Sequence, residues 1–343
     1  MRRIAASADG EGGGIAVIVA LLMVVLLGFA AISIDVAKLY SERAQLQNGS
    51  DSVALMVAQK CAKNEADTNC SPTAPDAPDL ANNNAIDNLS NVKSIVLDKP
   101  SRTVQVTAGA TEAGSTPNSV SLFFARVLGI PSIEVTATSS VRWGSPNKGT
   151  APFPITVSIC QVRDKSGIMQ LLQLHGKLKN EGCNYGPSGA PVKGGFGGLN
   201  QDTGGCGAVI DILAGEGGGD AGNNPPPGCE DLLNSWAADI SLGREVIVVL
   251  PVFNSVTGEG SGAVYGLKTF AAFKVAGWKF SGGNSLPYTF HNRYPDVPAG
   301  LECYEAIQCK GIIGTFVEYV SLADGFELGT VDSDGVTVVE LIS

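Results

Sequence analysis

Residues 12–34 read GGGIAVIVALLMVVLLGFAAISI, 23 positions without a charge. At about 1.5 Å rise per residue, a helix over them reaches roughly 34 Å, enough to cross a hydrocarbon core about 30 Å thick. Asp35 ends the run at once. The pattern therefore predicts an N-terminal transmembrane anchor, lipid-facing over residues 12–34, with a short cytoplasmic tail at 1–11. The competing reading is a cleaved signal peptide, with Arg2 and Arg3 as its basic region, residues 15–27 as its apolar region and Gly28-Phe29-Ala30 as the cut. The anchor is preferred because the run continues past that cut to Ile34 and helical periodicity continues behind it. Counting basic residues does not orient the span, since Arg2 and Arg3 stand against Lys38 and Arg43.

The cysteines orient it better. All eight lie beyond the span: Cys61, Cys70, Cys160, Cys183, Cys206, Cys229, Cys303 and Cys309. An even number in an exported chain reads as disulfides, and no C-x-x-C pair supports zinc. Cys61 with Cys70, and Cys303 with Cys309, are candidate local bridges; spacing does not fix the connectivity. The remainder is expected to be extracytoplasmic. A net charge of −10 excludes an electrostatic nucleic-acid binder. The length of 343 residues allows two domains beyond the anchor, and 43 glycines and 18 prolines imply many turns and short strands.

Behind the span, Val36, Leu39, Tyr40, Leu46, Val53, Met56 and Val57 recur at near-helical spacing. A helix continuous with the span would be on the order of 70 Å long, with Asn48-Gly49-Ser50 as a candidate kink. Its apolar stripe must dock on its own ectodomain or on a neighbouring subunit's helix. Val36, Leu39, Leu46, Val53 and Met56 are the candidate packing residues. Residues 62–91 read as a polar connector. A hairpin is expected over 94–98 and 103–108, with KPSR as its turn. The segment NSVSLFFARVLGIP predicts a short helix capped by Asn118 and ended by Gly129, with Val120, Phe123, Phe124, Val127 and Leu128 on one face. A strand follows, with Ile133, Val135, Ala137, Val141 and Trp143 on one side.

These residues resemble the TadE/TadG-like Flp (tight-adherence) pilus-assembly family. Asp35, Tyr40, Arg43, Gln45, Leu46, Gln47, Asp51 and Ala54 sit where that family's pattern DxxxLYxxRxxLQxxxDxxAL places such residues. The similarity extends through TPNSVSLFFARVLGIPSIEVTATSSVRWGSP and covers roughly residues 10–146. It implies a pilin-like helix with a small sheet over 35–146, and a non-enzymatic envelope component working with other pilus-assembly or pilin-like proteins. Pseudopilin relatives carry a Glu five residues after the processing glycine. Counting from Gly13 or Gly14 gives Ile18 or Val19 here, which favours the unprocessed, TadG-like variety.

Residues 147–152 read as a linker, and 153–343 as a β-rich, disulfide-braced domain. The whole is an α+β chain: a transmembrane helix running into a helix-and-sheet domain, then the β-rich domain. Motifs for chemistry fail on context. Gly217, Gly219 and Gly222 match G-x-G-x-x-G, but NNPPPG follows where a helix must open, so a loop is expected. Ser188 is one residue short of a nucleophile elbow. His175 and His291, the only histidines, read as structural. Asp332, Asp334 and Gly335 resemble the start of a calcium loop without its closing Glu, and read as a solvated turn. No catalytic, cofactor or metal residue is assigned. The other function class left open is an exported adhesin or ligand-binding protein using its C-terminal domain.

Overall fold

The computed structural model describes residues 12–112, 114, 116–163, 165–173, 183–192, 196–201, 205–220, 226–258, 262–303, 309–320 and 326–342. Two compact units divide the chain, residues 1–141 with 341–343, and residues 142–340.

The first unit is organised on one helix, α1 (Gly12–Lys63), 52 residues long. Its most apolar window has a mean hydropathy of 3.2 and is wholly exposed. Among the described residues it is the one helix long and apolar enough to cross a membrane. Beyond Asp35 the same helix changes character: Leu46, Val53, Ala54, Val57 and Ala58 are buried. The helix does not break at Asn48-Gly49-Ser50. Gly49 instead faces α2 (Ala77–Asn82), where a Cβ would touch the Ala81 carbonyl oxygen at an ordinary 3.4 Å. The connector is thus structured, closed at its start by a Cys61–Cys70 disulfide.

The expected hairpin is present and longer. Strand β1 (Ser90–Asp98) pairs antiparallel with β2 (Thr103–Ala110), Asp98 opposite Thr103, with a bulge between Val92 and Ser94. The helix expected over 118–131 is not formed. Strand β3 (Ser119–Ser121) pairs with β4 (Ser132–Glu134), and only residues 125–128 turn, as a 3-10 helix ended by Gly129. The apolar spacing there is not a core face: Val120 and Leu122 are buried by strand alternation, while Phe123, Val127 and Leu128 are exposed. Asn118, with φ of 64°, is the corner before β3 and not a helix cap. The following strand likewise begins afresh at β5 (Thr136–Gly144), next to β2 in the order β1-β2-β5, and Ile133 is exposed. Leu46 packs with Ala108, Ala110, Val120, Val135 and Ala137, and Leu39 flanks them. The anchor helix therefore supplies one wall of this unit's core.

In the second unit, residues 147–152 are no linker. Residues 147–151 lie in β6 (Pro146–Ala151), which pairs with a later strand on either side. Ladder pairing there overrides the weak β propensity of PNKGTA. Next come β7 (Ile155–Ser158), a single helical turn α3 (Ile159–Val162) and β8 (Met169–Gln173). The glycine-rich stretch 182–228 contributes three strands: β9 (Phe196–Leu199), β10 (Ala208–Asp211), the partner of β6, and β11 (Glu216–Asp220). Helix α4 (Glu230–Ser241), which the sequence reading did not contain, buries Leu233, Trp236 and Ala237. Strands β12 (Val246–Thr257) and β13 (Val264–Lys279) form the long central pair. The chain ends through β14 (Thr289–Phe290), β15 (Gly311–Val317), β16 (Tyr319–Val320), β17 (Glu327–Leu328), the other partner of β6, and β18 (Thr337–Leu341), which pairs in parallel with β16.

The main sheet runs β11-β9-β7-β12-β13-β15-β8, and β11 also pairs with β13. That extra pairing closes β13-β12-β7-β9-β11 into a ring. Its interior explains the glycines. Tyr265 fills it, and a Cβ on Gly197 would fall 1.9 Å from the Tyr265 hydroxyl oxygen. So Gly217 and Gly219 belong to a strand, where a loop was expected; Gly222 lies outside the described residues. The remaining disulfides, Cys160–Cys183, Cys206–Cys229 and Cys303–Cys309, brace this unit. With Cys61–Cys70 they account for all eight cysteines.

Candidate functional site

The polar feature that stands out on α1 is Asp35, the first residue past the apolar run. It is buried, at 4% exposure. Its Oδ1 accepts the Phe123 N–H at 2.9 Å, and its Oδ2 accepts those of Phe124 and Ala125 at 2.9 and 2.7 Å. These amides head the 3-10 turn and have no ladder partner, so a carboxylate from the helix does the work of a cap. Burial opposes ionisation, but the amides of Ala125, Phe123 and Phe124, with Lys38 nearby, outweigh it and hold the carboxyl below its usual value.

A second link lies one turn on. Lys38 Nζ donates to Glu112 Oε1 at 2.7 Å and to the Ser121 carbonyl at 3.1 Å, while Glu112 Oε2 accepts the Ser121 N–H at 2.9 Å. Burial pulls Glu112 up, but the bonds from Lys38 and Ser121 prevail and its pKa is lowered. Glu42 differs: burial, Asp87 and Glu112 raise it against the pull of Lys38. Farther along, Gln45 accepts the Ile86 N–H at 2.6 Å, and Gln47 donates to Asp51 at 2.8 Å.

The sign of the pH dependence follows. A carboxyl whose folded pKa is depressed contributes stability above its ordinary range, and that stability is lost as pH falls through the folded value. Asp35→Asn is expected to lower the melting midpoint of the detergent-solubilised chain by several degrees at pH 7. Midpoints measured from pH 7 down to about 2 should show the variant and parent curves converging at the acid end. Curves that stay parallel would refute the role given to this carboxylate.

On α1 and the facing strands β4 and β5 lies an open groove of about 460 Å³, lined by Val36, Leu39, Tyr40, Arg43, Ile133, Glu134, Val135 and Thr136. The five candidate packing residues separate on this frame. Leu46 and Val53 are fully buried in their own unit, Leu39 and Met56 are half-buried, and Val36 is 42% exposed. The stripe's inner part is therefore already covered by its own sheet, and its outer end lines the groove. Within the family-like pattern, Asp35, Gln45 and Gln47 bond across the unit, Leu46 and Ala54 are buried, and Asp51 bonds Gln47 along the helix, whereas Tyr40 and Arg43 are exposed. Asp35 was not singled out as a site residue. Its signal was present, as a carboxylate ending a charge-free run, but its amide partners lie about 90 residues away in sequence.

The remaining sequence candidates do not converge. Ser188 is exposed on a short turn, and His291 stacks on Phe290 with ring centroids 3.8 Å apart. His175 lies outside the described residues. Asp332 and Asp334 are not a bare solvated turn: Lys268 pairs with both, and Arg163 approaches Asp334 at 3.5 Å. Both carboxylates are thus paired with cationic side chains. Among the described residues no group of three His, Cys, Asp or Glu could hold a metal.

No curated protein and no solved structure matches the chain. One family model does, described as "Putative Flp pilus-assembly TadE/G-like", over residues 13–60. That interval holds both the apolar run and the helical scaffold from Asp35 to Ala54. Residues 13–60 are thus similar to the TadE/G-like Flp pilus-assembly family.

Proposed function

We propose that this chain is a non-enzymatic, plasma-membrane component of Flp pilus assembly, working through protein contacts made just outside the bilayer. The observation that supports it most is the coincidence of the family segment with a helix that is apolar below Asp35 and packed above it. An apolar helix of that length and the disulfides together support a membrane protein with its folded units on the oxidising side. In this reading residues 1–11 face the cytoplasm, and 35–146 act as a pilin-like domain. A helix of another pilus-assembly or pilin-like protein would occupy the groove, with Tyr40 and Arg43 as the specific contacts, because the fold leaves those two pattern residues exposed.

Deleting the gene in its own cells is expected to abolish surface pili. The parent chain should restore them, and a Tyr40→Ala/Arg43→Ala double variant should not, at equal membrane levels. Undiminished pili in the deletion strain would overturn the assembly role. If adhesion were lost with pili intact, the adhesin reading of the C-terminal domain would take its place.

A further inference from the structure

The turn that Asp35 holds carries a cluster of outward-facing apolar side chains. Phe123 is 78% exposed, Val127 87%, Leu128 71% and Ile130 50%. Contiguous exposure of this kind marks a contact surface. The turn itself is well fixed. Leu122 is buried beneath it, Ile130 N–H closes on the Ala125 carbonyl at 3.1 Å, and three amides bond to Asp35.

Its height is set by the same bonds. Asp35 directly follows the apolar run, so a bilayer spanned by residues 12–34 ends at this carboxylate. The amides of Phe123, Phe124 and Ala125 lie within 2.9 Å of it. The knuckle thus stands beside the span, where acyl chains give way to headgroups. Arg126 is exposed on the same turn, and a basic residue among apolar ones suits a surface bearing lipid phosphates. A protein partner would need its own apolar patch at this level. The bilayer is there whatever else is bound.

We propose that residues 123–130 are a second, monotopic membrane contact, in which Phe123, Val127 and Leu128 enter the acyl boundary and Arg126 meets lipid phosphate. The proposal rests on the anchored reading of residues 12–34. It gives the unit two points of attachment, which would fix the rotation of α1 about its own axis and the direction in which the groove opens.

The test uses the full chain in phosphatidylcholine vesicles, plain or with brominated acyl chains. Val127→Trp adds an indole at the knuckle and Phe29→Trp adds one inside the span. The native Trp143, Trp236 and Trp278 are buried, and the parent chain supplies their background. The indole at 127 is expected to emit at shorter wavelength than in water, to lose intensity in brominated vesicles and to resist aqueous acrylamide. Quenching by lipid at 29 but not 127, with 127 open to acrylamide, would overturn the proposal and leave the anchor standing. Shielding from acrylamide without lipid quenching would replace the bilayer by a protein cover. Absence of lipid quenching at both positions would remove the anchor and the proposal together. Leu128→Trp repeats the measurement should circular dichroism show the first variant misfolded.

Discussion

Replacing Leu46 by alanine is expected to destabilise the N-terminal unit by about 2–5 kcal/mol, the range for truncating a fully buried leucine. Leu46 is 1% exposed and sits where α1 meets Ala108, Ala110, Val120, Val135 and Ala137. Those neighbours are mostly small, so they offer little side-chain volume to collapse into the space left behind. Val36→Ala, ten residues earlier on the same helix, is the control. It lies 42% exposed, and the loss there should stay within about 0.5 kcal/mol. Thermal or denaturant unfolding of both variants in detergent gives the comparison. A stable Leu46→Ala protein would mean that the helix does not rest on its own sheet, freeing the whole stripe for a partner. A large loss confined to Leu46 would leave only the groove end of the stripe for contacts between molecules.

Trp278→Ala should be at least as damaging to the second unit, by about 3–5 kcal/mol. Its side chain is 0% exposed, its ring lies 5.0 Å from Phe290 and 6.2 Å from Trp236, and its Nε1 donates to the Pro287 carbonyl at 2.8 Å. Removing it opens a cavity beneath α4 and deprives that carbonyl of its donor. Trp278→Phe keeps most of the volume but loses the donor and part of the ring packing, so its cost should fall well below that of alanine. Denaturant midpoints for the two variants separate packing from hydrogen bonding. Equal losses would show that the indole N–H, and not the ring, carries the site.

The parts read correctly from sequence are those where one local signal decides the outcome. Residues 12–34 lack charge altogether, KPSR sits between alternating strands, and both produced the expected element. The segment 118–131 shows the opposite case. Its spacing is helical, yet Val120 and Leu122 are needed in the core on strand alternation, and Asp35 supplies the amide acceptors. Neither demand is visible within fourteen residues of chain. Strand β11 was missed for a related reason: EGGGD has poor β propensity, and only the ring filled by Tyr265 makes glycine the residue that fits. Helix α4 carries Leu233, Trp236 and Ala237 at helical spacing, and its signal was lost among the surrounding glycines and prolines. The groove was half legible, since α1 displays Tyr40 and Arg43, whereas its other wall comes from β4 and β5.

The bridges join the cysteines in order along the chain: first to second, third to fourth, fifth to sixth and seventh to eighth. A polypeptide threaded through a translocation channel from its N-terminal end releases its thiols in that same order. The second cysteine of each pair, as it emerges, finds its native partner to be the nearest one still reduced, no more than 23 residues behind it. Oxidation on emergence then yields the native set directly, with no wrong pair to undo. The chain can be sealed while it is still being exported, and its maturation should be indifferent to the loss of a disulfide isomerase.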